Sequence, residues 1–170
     1  MTGSQPAILA DSSPLIGLAR IDRLDLLTLF GVPICVTRTV WREVVGDPDR
    51  PGTSALIQAE AEGILHVIEA GNETAYPELD AGENTTLSAA AEMKAHVIVD
   101  ERKARERIRN DIALRAAILA PLTTVGVVIR AKQQGLIPEV KPVLNQLRRE
   151  ECWLSQPDEE SALHAAGEDH

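Results

Sequence analysis

The sequence predicts an α/β fold, a three-layer α/β/α sandwich with a mainly parallel central sheet. Three observations carry this. Short apolar runs of strand length alternate with helical segments along most of the chain. Those runs are continuous rather than alternating, as in strands buried on both faces. Two of them end at an aspartate, Asp11 and Asp100, directly before a helix. The order reads β-αα-β-α-α-β-α-β-α-β-α-α.

Taken in order, residues 7–10 form the first strand after Pro6. Ser12 or Ser13 caps the next helix, and Pro14 suits its first turn, where no backbone N–H is needed. Asp22 caps a second helical piece over 23–30, closed by Gly31. Residues 33–36 are the second strand, and Thr37 or Thr39 caps a helix that carries Glu43. The Gly, Pro and Asp content of 46–52 marks a loop. A helix over 53–62 ends at Gly63 and leads to an edge strand over 64–68. Residues 70–79 are polar, broken by Gly71 and Pro77, and read as a loop and candidate flap. Asp80-Ala81-Gly82-Glu83 is a capping box ahead of a helix over 84–94.

A strand over 96–100 and a charged helix over 101–109 follow. The last strand is expected at 117–120, with Pro121 after it. Thr123 or Thr124 caps a helix running to Lys132 and stopped by Gly135, and 140–149 form another. Trp153 and Leu154 are expected to pack back on the body. Residues 1–155 therefore read as a single domain and 156–170 as an acidic C-terminal helix or flexible tail.

The chain has 170 residues, enough for one domain with a core of its own. Its 44% hydrophobic content predicts a globular protein, and 2% aromatic content leaves the core to Leu, Ile, Val and Ala. So few rings also exclude nucleic-acid binding by aromatic stacking. The net charge of −9 opposes generic attachment to DNA or membranes. Its distribution is uneven: residues 100–149 hold 11 of the 17 Lys and Arg but five acids. Two cysteines, Cys35 and Cys152, make no disulfide framework and no metal spacing. Neither a signal peptide nor a membrane-length apolar run is evident, so a cytoplasmic protein with no membrane association is expected.

Four acids share a placement. Asp11 and Asp100 each end a strand, Glu43 lies on the helix after the second strand, and Glu83 lies in the first turn of the helix before the Asp100 strand. All can reach the carboxyl edge of a parallel sheet, where open α/β sheets bind ligands. Crowded carboxylates repel unless a cation stands among them, and oxygen-only donors suit Mg²⁺ or Mn²⁺. Such ions support hydrolysis of a phosphodiester. Each acid has a structural alternative: a helix cap for Asp11 and Asp100, a solvated helix position for Glu43, the capping box for Glu83. The set carries the reading.

Arg102, Arg105 and Arg109 share one helix face that starts beside Asp100. Arg102 and Arg105 are the candidates to hold a nucleic-acid phosphate, while Arg107 and Arg109 read as a solvated face with local ion pairs. Ser12 has no His and Asp arrangement of a serine nucleophile and is accessory, as is Glu101. No glycine-rich phosphate loop occurs.

Asp11-Ser12-Ser13-Pro14-Leu15-Ile16, the Glu43 helix, Leu79-Asp80-Ala81-Gly82-Glu83 and Val99-Asp100-Glu101-Arg102-Lys103-Ala104-Arg105 resemble PIN-domain proteins. Thr124-Val125-Gly126-Val127 and Arg130-Ala131-Lys132-Gln133-Gln134-Gly135-Leu136-Ile137 resemble a prokaryotic branch of that family close to VapC-like toxins. The resemblance spans about Ile8 to Leu163. It implies a small metal-dependent ribonuclease in which Asp11, Glu43, Glu83 and Asp100 hold Mg²⁺ or Mn²⁺. It further implies an RNA substrate, a small antitoxin partner and a homodimer. Asp100-Glu101 stands where many relatives have two aspartates, and Thr123 where they often have glycine. The first alternative is a PIN-fold module that binds RNA or an antitoxin without turnover. A receiver-like phospho-acceptor ranks behind it, because a single acid follows strand one and Ala120-Pro121, not Lys-Pro, lies near the last strand.

Overall fold

In the computed structural model, residues 5–150 and 156–168 are described. The expected packing of Trp153 and Leu154 lies outside them. Among the described residues, five strands form one parallel sheet: β1 (Ile8–Ala10), β2 (Ile34–Thr37), β3 (Leu65–Ile68), β4 (His96–Ile98) and β5 (Pro121–Leu122). The order is β3-β2-β1-β4-β5. The first strand is therefore central, and the 64–68 strand is at an edge, as its sequence suggests.

Between the strands run α1 (Ser12–Arg20), a 3₁₀ segment (Leu24–Phe30), α2 (Arg38–Val45), α3 (Thr53–Ala61), α4 (Ala81–Met93), α5 (Arg102–Asn110) and α6 (Ile112–Ala117). After β5 come α7 (Thr124–Gln133), α8 (Lys141–Arg149) and α9 (Gln156–Ala165). Two apolar cores cover the two faces of the sheet. One joins Ile8, Ala10, Ile34 and Val36 to α1, α2, α7 and α8; the other joins Leu9, Val97 and Val99 to α4, α5 and α6. Strands this short can be apolar at every position because each face meets its own helical layer.

Several local expectations change. Asp22 does not cap the second helical piece; it sits at φ 56°, and Arg23 takes the position before the 3₁₀ turns without a side-chain cap. Gly31 closes that piece at φ 72°. The last strand is not 117–120. Asp111 caps α6 by accepting from the Leu114 N–H at 3.1 Å, and that helix takes the sequence up to Ala117. The strand falls on Pro121–Leu122 instead. Proline is tolerated because β5 is an edge strand. Val97 of β4 and Val99 just after it donate to the carbonyls of Ala120 and Leu122, at 3.2 and 2.8 Å, so the missing N–H of Pro121 lies on the outward side.

The loop over 70–79 is pinned to α4. The Asn84 side chain donates to the carbonyls of Tyr76, Leu79 and Asp80 and accepts from the Tyr76 N–H. The acidic C-terminal stretch forms α9, which packs on α7 with Ala162 buried. Beyond it, Glu168 is 8% exposed and accepts from Lys132 Nζ at 2.7 Å and from the N–H groups of Val140 and Lys141 at 2.8 and 3.1 Å.

Candidate functional site

The carboxyl edge of the sheet carries the acids. Asp11 extends β1 by one more ladder bond, its N–H donating to Ile98 at 3.0 Å, and then turns into α1. It stands at the N-cap position but makes no side-chain cap bond. Its carboxyl is 3% exposed. Burial pushes its pKa up to about 7, and the Ser12 N–H draws it partly back down. Repulsion from Glu83, Asp80 and Glu43 adds to the rise. Three other acids thus act on one buried carboxyl.

Glu43 arrives on α2, which Thr37 caps by accepting from the Val40 N–H at 3.3 Å. Ser12 Oγ donates to Glu43 Oε2 at 2.6 Å, a charge-assisted bond that ties α1 to α2. Gly82, at the start of α4, lies beside the same oxygen; a Cβ built there would stand 2.7 Å from Glu43 Oε2. Glu83 follows. Its capping box forms as predicted: Glu83 N donates to Asp80 Oδ1 at 2.8 Å, and Asp80 N donates to Glu83 Oε1 at 3.0 Å. The box does not remove Glu83 from the site. Burial raises its pKa, the Asp80 N–H opposes that, and the charges of Asp80 and Glu101 add to the rise.

Asp100 is placed differently. Both its oxygens are engaged by the start of α7, Oδ1 by the Thr124 N–H at 2.8 Å and Oδ2 by Thr124 Oγ1 at 2.6 Å. It caps no turn of α5; Glu101 holds that position, also without a side-chain bond. Glu83, Asp80 and Glu43 act on Asp11, while Asp100 is bonded to the start of α7.

The donor chemistry fits a hard divalent cation: oxygen ligands only, and a buried carboxyl on which three further acids act. Among the described residues, no three His, Cys, Asp or Glu side chains are grouped so as to hold one ion as they stand. The Ser12, Asp80 and Thr124 bonds hold Glu43, Glu83 and Asp100 in their present orientations.

Beside Asp100 opens a cavity of about 690 Å³ between α1, α5, α7 and α9. Arg102 and Arg105 line it along with Glu101, and so does Arg20 from the end of α1. Arg102 Nε also donates to Glu106 at 2.8 Å. Arg107 turns the other way, paired with Glu78 and Asp111 and lying over the Tyr76 ring. Sequence reasoning missed four contributors. Thr124 and Asp80 look like helix-cap residues, Gly82 like a spacer, and Arg20 like an ordinary last-turn cation. Only tertiary placement gives them a further role.

The parallel sheet thus gathers carboxylates at its carboxyl edge, with arginines alongside. The family can be stated as well: the PIN domain matches residues 7–168, and the chain belongs to that family. No curated protein matches it.

Proposed function

We propose that this chain is a Mg²⁺- or Mn²⁺-dependent endoribonuclease that hydrolyses RNA phosphodiester bonds, and that it is the toxin of a toxin–antitoxin pair. PIN-family membership supports a nuclease-type function. The observation that carries the metal is Asp11: a carboxyl at the ligand edge, 3% exposed, pushed to about 7, with acids as its charged neighbours. Asp11, Glu43, Glu83 and Asp100 would hold the ion, which when bound activates a water and stabilises charge on the phosphoryl oxygens. Ser12 orients Glu43. Thr124 orients Asp100. Arg102 and Arg105 hold the RNA phosphate, and the buried setting of Asp11 keeps bulk water from screening the site.

The test is cleavage. The purified chain is expected to cut RNA only with added Mn²⁺ or Mg²⁺, and Asp11→Asn to cut slower by a factor on the order of a hundred or more, as when one electrostatic stabiliser is lost. Equal cleavage by both proteins removes the assignment. Because Asp11 must shed its proton to bind a cation, Mn²⁺ affinity is expected to rise as pH passes through about 7. The alternative, a PIN-fold module that binds RNA or antitoxin without turnover, predicts no Mn²⁺ uptake in calorimetry. A short neighbouring open reading frame for a DNA-binding protein would identify the antitoxin, and sedimentation would test the homodimer.

A further inference from the structure

The 690 Å³ cavity beside Asp100 is larger than phosphate binding requires. Its lining combines charged groups, Arg102 and Arg105 with Asp100 and Glu101 around the start of α5, with apolar ones, Ile16 of α1, Val125 and Ile129 of α7, Leu147 of α8 and Ala162 of α9. Charged and apolar groups around one cavity of this size suit a small organic group attached to an anion.

Arg20 adds a polar feature within it. Its Nη1 donates to the Glu150 carbonyl at 3.0 Å, which fixes the guanidinium. Its Nε is buried with no partner. An unmet buried donor is costly, and an acceptor on a ligand held against Arg20 would offset that cost. Every nucleobase carries such acceptors on its edge.

We propose that this cavity is the subsite for the base of an unpaired nucleotide adjoining the phosphodiester that is cut. The inference rests on the ribonuclease reading above and names the part of the nucleotide that this cavity takes. The phosphate lies against Arg102 and Arg105 next to the acidic edge. The base leaves its stack and enters the cavity, held by Ile, Val and Leu contacts rather than by aromatic stacking. A base held inside a duplex cannot do this. The fourth wall is α9, kept in place through Glu168 and Lys132, so the C-terminal segment is part of the recognition surface.

The test uses the whole chain without metal, titrated by NMR with AMP, GMP, CMP and UMP, and with ribose 5-phosphate as the control that lacks a base. At least one nucleotide is expected to bind about tenfold tighter than ribose 5-phosphate, the gain from burying a base. Ser161 is exposed at the cavity wall, so Ser161→Trp is compatible with the fold and is expected to abolish that difference. Arg20→Gln is expected to reduce it. Equal binding of nucleotides and ribose 5-phosphate, or an undiminished difference in Ser161→Trp, overturns the proposal. A second arm places one abasic nucleotide at successive positions of a cleaved RNA. A loss of rate at one position next to the cut supports the subsite, and an unchanged rate at every position overturns it. Intact RNA in the presence of metal would strike the ribonuclease reading alone, because base-dependent binding is read without cleavage.

Discussion

Asp11 and Glu168 are both buried carboxyl groups, 3% and 8% exposed, and the fold treats them in opposite ways. Burial raises Asp11, acids surround it, and its pKa reaches about 7. Burial also raises Glu168, but Lys132 and the N–H groups of Val140 and Lys141 outweigh it, and its pKa falls below the ordinary value. One carboxyl fastens the end of the chain to α7 and α8. The other is left under electrostatic load at the ligand edge. Burial alone therefore says little about a carboxylate; its donors decide whether its charge is fastened or left under load.

Glu168→Ala should break the fastener and give the largest effect. It strands Lys132 and two backbone donors, at about 2–4 kcal/mol, and calorimetry should show Tm lower by about 5–10 °C. Since the folded pKa of Glu168 is lowered, its contribution is present above the unfolded value and lost as pH falls through the folded one. The two proteins should therefore converge in acid.

Asp11→Asn should act in the opposite direction. The folded chain holds the Asp11 proton more tightly than the unfolded chain, so its contribution is full below the ordinary 3.8 and lost as pH rises through about 7. Removing the charge should stabilise the protein by about 2 kcal/mol near pH 8, at about 1.4 kcal/mol per pKa unit less local relaxation. A variant less stable than the parent at that pH would contradict the electrostatic load.

Thr124→Val removes one of the two bonds to Asp100 while leaving the backbone one, at about 1 kcal/mol of stability in denaturant titrations. Its larger readout should be weaker Mn²⁺ binding with Asp11 unaltered. The smallest effect is expected for Arg102→Ala. Its ion pair with Glu106 is a surface i,i+4 contact worth at most about 0.5 kcal/mol, so Tm should hold while RNA affinity falls and loses salt dependence.

The parallel sheet, the buried first strand and the Asp80–Glu83 box could be read from the sequence because each rests on local rules: continuous apolar runs, an N-cap, a paired cap. β5 could not, because Pro121 opposes strand formation everywhere except on an outward edge, and the edge exists only once the sheet is assembled. For the site, the sequence placed Asp11, Glu43 and Glu83 near one another in expectation, and the Asp11 environment puts the charges of Glu43 and Glu83 within reach. The orientation of Asp100 toward Thr124 was hidden, since a Thr-Thr pair before a helix is fully explained by capping. So was the Ser12–Glu43 bond, which joins residues 31 apart through two helices.

Pro121 has a further consequence for the chain outside its folded core. A sheet whose border is two residues long and begins with an imide offers little ladder for another polypeptide to extend. The border faces solvent near Leu119, an exposed apolar side chain of the kind that invites strand addition. Proline at that point acts as a guard against stacking of neighbouring chains, so the protein can keep a short, apolar, all-parallel sheet without its β5 border becoming a seed for fibrils.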